Sequence, residues 1–454
     1  MAQTSAELRM TEGSIPKHII RFAVPLFLGN LFQQLYNAAD TLIVGRLLGD
    51  SALAAVSSSG SLLFLLVGFF SGIFMGAGVV ISQYYGAKDV SGMRRAVHST
   101  LLFALASGVF LTIAATLLAP QILVWMDTPP EVLPRAVSYV RVYFSGVLSM
   151  ILYNACMSIM QAVGDSRHPL YYLIISSLIN IVLDILFIAA FHYDVGSAAL
   201  ATVISQFVSV FLCLFRLMRI DADYRIDFRA LRFDGEMLGK IIRYGLPSGF
   251  QNSIIAFANV VVQSNINAFG EAAMAGCGAY AKIEGFAFLP VTCFTAAITT
   301  FVGQNLGAQE YERTKKGARF GILVAIVMAE CIGLCIYVTA PFLIGLFTDG
   351  AEAIAFGVDK AHICSVFFCL CAMSHCFAAV LRGAGRAVVP MLAMMCCWCV
   401  IRVSILAICV PIFKDIAIVN WVYPITWALC AGALFVYYKK ADWMHGVAGV
   451  PKKV

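Results

Sequence analysis

The 454-residue chain is 61% hydrophobic, only 12% of its residues are charged, and its formal net charge is +6. Soluble domains carry about 25% charged residues, so this composition excludes a soluble globular enzyme and a disordered or fibrous chain. A membrane protein with several spans remains.

Apolar runs of membrane-spanning length recur along the whole chain. A transmembrane helix needs about 20 mostly apolar residues, and the runs are continuous rather than alternating as in a β-barrel. The sequence predicts an all-α integral membrane protein with twelve transmembrane helices, at about 18–44, 53–80, 99–120, 136–160, 169–190, 198–218, 241–268, 275–302, 320–341, 361–381, 389–411 and 417–437.

Lysine and arginine are unevenly divided between the two sets of predicted loops. Of the 31 such residues, 24 fall in one set of loops and the two termini. Because cytoplasmic loops carry the excess of basic residues, we expect both termini to be cytoplasmic and the protein to lie in the bacterial cell membrane. The opposite side would hold Arg46, Arg135, Arg141, Lys360 and Lys414.

The two halves of the chain repeat each other at an offset of 221 to 222 residues. IIRFAVP at 19–25 recurs as IIRYGLP at 241–247, and GDSALA at 49–54 recurs as GEAAMA at 270–275. Each half holds six spans, an even number, so the halves are expected to be parallel repeats. The predicted domains are an N-terminal cytoplasmic tail (1–17), an N-lobe (18–218), a cytoplasmic linker (219–240), a C-lobe (241–437) and a C-terminal cytoplasmic tail (438–454).

Polar stripes in the first lobe predict a coupling site. Ionisable residues inside membrane spans are costly and mark function by default. Asp40 in the first span, Asn180 and Asp184 in the fifth and Thr202 in the sixth should reach a similar depth, so we expect them to form one site. Two carboxylates this close cannot both ionise cheaply, so one would hold a proton; with its neutral oxygens the site would also suit a hard cation. Asp40 shares its helix face with Gln33, Tyr36 and Asn37.

The second lobe carries a different set of polar residues. Its first span has amides, including Asn259 and Gln263, but no acid. Coupling chemistry is therefore expected mainly in the first lobe. The second-lobe charges predicted to be buried are Lys282, Glu284, Glu330 and Arg402. Lys282 and Glu284 are two residues apart and face different directions, so either would pair with Glu330 or Arg402 instead.

Proline and glycine mark two features of the first lobe. Pro25 removes a backbone hydrogen bond inside the first span, and we expect a bend there that responds to the charge of Asp40. A Pro25→Ala variant with undiminished ion-coupled transport would contradict this hypothesis. Gly68, Gly72 and Gly76 recur every four residues in the second span, which favours close helix packing.

Two motifs resemble one transporter family. PLxxGNLFQQLYNxxD at 25–40, followed by ALAAV at 52–56, is similar to the opening of the multidrug and toxic compound extrusion (MATE) family, and FVGQNxGA at 301–308 is similar to its second-lobe signature. The resemblance covers about residues 14–440 and is strongest to the bacterial DinF-like branch.

The resemblance implies a twelve-helix antiporter that exports amphipathic, often cationic compounds against inward proton or sodium flow. The family's coupling residues carry over to Asp40, Asn180, Asp184 and Thr202. Its cavity residues carry over to Gln33, Tyr36, Tyr139 and Asn154, and the polar stripes add Asn37, Asn259 and Gln263. The acids with which some relatives bind sodium in the second lobe have no counterpart here.

The sequence therefore predicts a secondary active multidrug efflux transporter rather than an enzyme. No cofactor is expected, and the coupling ion would be H+ or Na+. Its expected partners are small amphipathic or cationic substrates and the lipid bilayer, with no nucleic acid, and the protein would be a monomer. The alternative is a lipid-linked oligosaccharide flippase of the same superfamily, which would need a cluster of basic residues in its cavity. Only Lys282 and Arg402 fall inside predicted spans.

Overall fold

The computed structural model describes residues 9–48, 50–125, 131, 133–191 and 196–445. Parts of the two predicted tails, residues 1–8 and 446–454, lie outside the described residues. Within the described ranges all regular secondary structure is helical, and each predicted span is matched by one helix or by consecutive helical segments.

We number the twelve helical passes in chain order. The first six are α1 (Ile15–Leu48), α2 (Asp50–Ala87), α3 (Val90–Trp125), α4 (Leu133–Ser145 and Val147–Ala162), α5 (Arg167–Asp184, continued by a π-helical turn at Ile185–Ala190) and α6 (Gly196–Arg219). The second six are α7 (Gly235–Asn267), α8 (Glu271–Gly307), α9 (Tyr311–Gly345), α10 (Ala351–Ser365 and Phe368–Gly383), α11 (Val388–Met394, a π-helical turn at Met395–Ile401, and Arg402–Phe413) and α12 (Ile416–Lys440).

Ten of these passes are long and apolar enough to cross a membrane. Eight meet that condition as they stand, and the two-segment passes α4 and α10 meet it when each is counted as one span bent by 45° and 54°. The other two passes, α1 and α7, are the helices on which the sequence shows the amide-rich polar stripes. Their low hydropathy therefore reflects side chains that avoid lipid.

The passes assemble into two compact units. The first is built mainly from Leu28–Gly245, and the second from Met10–Phe27 together with the chain from Leu246 onwards. The predicted lobe boundaries differ from these units, because the first part of α1 packs in the second unit and the first part of α7 packs in the first. Both helices change unit close to a proline, Pro25 or Pro247, where a backbone hydrogen bond is missing.

Glycines allow α2 and the first part of α7 to meet backbone to backbone. A Cβ atom added at Gly76 would lie 2.2 Å from the backbone nitrogen of Gly245, and one added at Gly245 would lie 2.3 Å from the carbonyl oxygen of Ile73. Only two residues without side chains fit this approach. The four-residue glycine spacing read from the sequence therefore has a packing role at Gly76.

The segment before α1 is anchored to the second unit. The Arg313 guanidinium donates to three carbonyl oxygens, those of Met10 (3.0 Å), Glu12 (2.8 Å) and Gly13 (2.8 Å). The backbone N–H of Met10 donates to Gln304 Oε1 at 3.0 Å. Met10 and Gln304 are fully buried, so the segment is part of the packed structure of this unit.

We expect an Arg313→Ala variant to loosen the segment from Met10 to Ser14. Three charge-assisted hydrogen bonds disappear together, and each contributes about 1.5 kcal/mol or more when it is shielded from water. Amide hydrogen exchange in the segment, measured by mass spectrometry on the full chain, should rise at least about tenfold. Lys315→Ala is the matched control, because Lys315 contacts only exposed Glu312. Unchanged exchange in Arg313→Ala would contradict the anchor.

Candidate functional site

Two carboxyl groups meet inside the first unit. The side chains of Asp40 on α1 and Asp184 at the end of α5 lie in hydrogen-bonding contact with each other. Asp184 is fully buried, and the Oδ1 atom of each carboxyl has no hydrogen-bond partner among the described residues. Two carboxyl groups can share a hydrogen bond only when one of them is protonated, so this geometry fits a pair that holds one proton.

Asn180 and Thr202 complete the arrangement that the sequence predicts. When the Asn180 amide is oriented to satisfy its neighbours, its nitrogen donates to Asp184 Oδ2 at 2.9 Å and its oxygen accepts from the backbone N–H of Thr202 at 3.1 Å. The Thr202 hydroxyl donates to the Ala198 carbonyl oxygen at 3.1 Å. The four predicted residues therefore lie together, held by α1, α5 and α6.

Three tyrosines border the carboxyl pair. The hydroxyl of Tyr36 is hydrogen-bonded to Thr202, and Tyr139 lies near enough to Asp40 to interact with it electrostatically. Tyr143, which the sequence analysis missed, does the same. Its ring centroid is 6.1 Å from that of Tyr139. The signal was present, because Tyr139 and Tyr143 are four residues apart and share a helix face.

The backbone around Asp184 is unusual. Asp184 is the last residue of α-helical geometry in α5, and the π-helical turn begins at Ile185. Such turns insert one residue into a helix and are frequent at functional sites. One turn and a half before this point, Ser176 Oγ donates to the carbonyl oxygen of Ser205 at 2.8 Å and ties α5 to α6.

The other predicted cavity residues are less tightly held. Gln33 and Asn37 are exposed on α1, and half-buried Asn154 donates to the carbonyl oxygen of Met150 in its own helix at 2.9 Å. In the second unit Asn259 and Gln263 are exposed on α7, and the Gln263 amide donates to Asn267 Oδ1 at 2.8 Å.

The predicted second-lobe charges do not form one group. Lys282 is exposed rather than buried, because it lies on the face of α8 opposite to the packed one. Half-buried Glu330 accepts a hydrogen bond from the backbone N–H of Cys369 at 3.1 Å, which supports the bend of α10. Glu284 lies near Arg402 and interacts with it electrostatically.

Lys360 corrects the reading of the outer loops. The sequence analysis placed it in a loop, but it lies in the first segment of α10 with 3% of its surface exposed. It sits beside Arg402, which is 2% exposed, since both lie over the ring of Tyr423. The predicted span began one residue too late, so a buried cation was counted as a topology signal.

Comparisons with known proteins agree with this fold. The MatE family model matches the chain twice, over residues 25–186 and 247–408. The probable multidrug resistance protein YoeA of Bacillus subtilis is 29% identical over 450 residues, which cover 96% of this chain and 97% of that protein. The multidrug export protein MepA of Staphylococcus aureus is 22% identical over 375 residues, 82% of each chain.

A solved structure shares the whole architecture. It is described as the outward-facing conformation of a multidrug resistance MATE family transporter of the MOP superfamily, and it superposes with a TM-score of 0.90 at 24% identity, covering 97% of this chain and 98% of that one. The predicted all-α, twelve-helix fold with two repeated lobes is thus confirmed. Because the family model covers most of both halves, the chain belongs to the MATE family.

Proposed function

We propose that this multi-pass membrane protein exports amphipathic or cationic small molecules in exchange for protons that bind to Asp40 and Asp184. The observation that carries the proposal is the contact between the two carboxyl groups inside the first unit. Its relatives support the choice of substrate, since they are named as multidrug resistance and multidrug export proteins.

The pair can couple two ligands because both act on its charge. With one shared proton the pair carries a single negative charge, and with two protons it is neutral. A cationic substrate binds more strongly beside the deprotonated pair, and a proton from outside neutralises the pair and weakens that attraction. Coupling requires that both ligands bias the same site in opposite directions.

The surrounding hydrogen bonds favour the proton over sodium. The Asn180 oxygen accepts from the Thr202 backbone, and its nitrogen faces Asp184. The Thr202 hydroxyl is hydrogen-bonded to Ala198 and Tyr36. The neutral oxygens that a sodium ion would need are therefore already engaged, whereas a proton needs only the two carboxyl groups.

Dye transport in everted vesicles tests this proposal. Vesicles from cells that express the full chain are loaded with an acidic lumen, or with sodium at equal pH, and uptake of a fluorescent cationic dye such as ethidium is recorded. We expect the pH gradient to drive uptake and the sodium gradient alone to have little effect. Uptake under neither gradient would contradict antiport, and uptake under the sodium gradient alone would contradict the proton.

The alternative, a flippase for lipid-linked oligosaccharides, rests on the pairing of Lys360 and Arg402. Such a protein must receive a large anionic headgroup, so it needs a broad cationic surface. Both cations are almost fully buried in the second unit. They fit a small anion better than a sugar diphosphate, and we therefore favour export of small molecules.

A further inference from the structure

The basic residues of the second unit lie at positions that repeat the coupling site of the first. The segments of α4 and α10, and those of α6 and α12, correspond at an offset of 221 residues. At that offset Tyr139 corresponds to Lys360 and Thr202 to Tyr423. Asn180 corresponds to Arg402 at an offset of 222, the value by which the two family matches are separated.

The π-helical turns explain why the offset changes by one residue. The turn Met395–Ile401 lies before Arg402 and adds one residue to α11, whereas the turn Ile185–Ala190 lies after Asn180 and adds one residue to α5. Between those two points the offset is therefore 222, and it returns to 221 in α6 and α12. The correspondence of Asn180 and Arg402 follows from the helix geometry.

Two buried cations share one aromatic ring in this cluster. Lys360 Nζ lies 4.9 Å from the centroid of Tyr423, and the Arg402 guanidinium carbon lies 4.5 Å from it. Arg402 also lies 5.3 Å from the Trp398 ring and donates to Thr426 Oγ1 at 2.8 Å. The ring faces stabilise both cations, but they carry no negative charge.

The cluster has more positive than negative charge. Glu284 is the acid that acts electrostatically on both Lys360 and Arg402, and among the described residues neither cation forms an ion pair. Trp398 Nε1 is buried and has no acceptor within the described part of the chain. Buried charge that is left uncompensated is costly, so the excess cation calls for a further negative group.

We propose that the second unit binds a small anion, a halide or the carboxylate of an organic acid, beside Lys360 and Arg402. The ammonium and guanidinium groups supply the charge, and the tyrosine and tryptophan rings enclose it. This site repeats the coupling site of the first unit with the opposite sign of charge. It lies within one unit and its occupancy needs no gradient, so the proposal stands independently of the proposed function.

Anion titration of the purified full chain tests the site. The protein is exchanged into a gluconate buffer in detergent, and chloride or benzoate is added while thermal stability and tryptophan fluorescence are followed, since Trp398 lies against Arg402. We expect a saturable rise in melting temperature and a saturable change in fluorescence. A response to chloride alone identifies an inorganic ion, and a response to benzoate identifies an organic carboxylate as ligand.

Two variants with opposite effects separate binding from packing. Lys360→Met leaves Glu284 to balance Arg402, so the variant should fold and bind the anion at least about tenfold more weakly. Glu284→Gln removes the competing negative charge, so it should bind the anion more tightly. Lys282→Met removes an exposed lysine of the same unit and should bind as the unmodified protein does.

The outcomes are distinct. Weaker binding in Lys360→Met together with tighter binding in Glu284→Gln supports the site. No saturable response to either anion, or an equal response in unmodified protein and Lys360→Met, overturns it. If Lys360→Met does not fold, the Glu284→Gln titration decides, because a purely structural cluster would not gain affinity for an anion.

Discussion

An Asp184→Asn variant is expected to lose gradient-driven transport, with a rate at least about a hundredfold lower, the scale on which a positioned proton-transfer group acts. Asparagine has the shape of aspartate and can hydrogen-bond Asp40, so the first unit should still fold. It cannot take up or release a proton, so Asp40 is left as a lone carboxyl. Dye uptake driven by an acidic vesicle lumen measures the effect.

Two further variants interpret that result. Asp349→Asn is the matched control, because Asp349 is exposed in the loop after α9, and its transport should be unchanged. Asp40→Asn should fail in the same way as Asp184→Asn, since either change leaves one carboxyl in the pair. Full gradient-driven transport by both Asp40→Asn and Asp184→Asn would refute the coupling site.

A Gly76→Ala variant is expected to destabilise the first unit by about 3 kcal/mol or more, the upper range for overpacking. The added methyl carbon would lie 2.2 Å from the Gly245 nitrogen and 2.3 Å from its Cα. These are backbone atoms that cannot rotate away, so α2 and α7 must separate. The yield of monodisperse protein in detergent and its melting temperature should both fall.

Gly278→Ala is the control for that experiment. Gly278 also lies inside a long helix, α8, but a Cβ atom there meets nothing within 4 Å. Alanine is the better helix former, so this variant should be as stable as the unmodified protein or slightly more so. Equal stability of Gly76→Ala and Gly278→Ala would show that the α2–α7 contact is not tight.

Helix periodicity was enough to predict the carboxyl site. Asp40, Asn180, Asp184 and Thr202 lie on polar faces of apolar helices, and burial of those faces brings them together. The cluster around Lys360 was not predictable in this way. Lys360 lies near a helix end, where a loop charge and a buried charge look alike in sequence, and its pairing with Arg402 depends on π-helical turns that shift the register by one residue.

The exchange of α1 and α7 between the two units was also hidden from the sequence. Hydropathy assigns each helix as a whole to the half of the chain in which it lies. The change of unit depends instead on which neighbours the first half of each helix contacts. The prolines indicated where the helices could bend, but not that the bend coincides with a boundary between units.

This exchange has a consequence for the ancestor of the protein. Ile19 and Phe22 on α1 are fully buried in the second unit, and Ile241 on α7 is fully buried in the first. A single six-helix copy would leave the corresponding apolar half-helix without its packing surface. Two identical copies could each supply that surface to the other, as in a domain-swapped homodimer. Gene fusion then converted an exchange between subunits into one within a single chain.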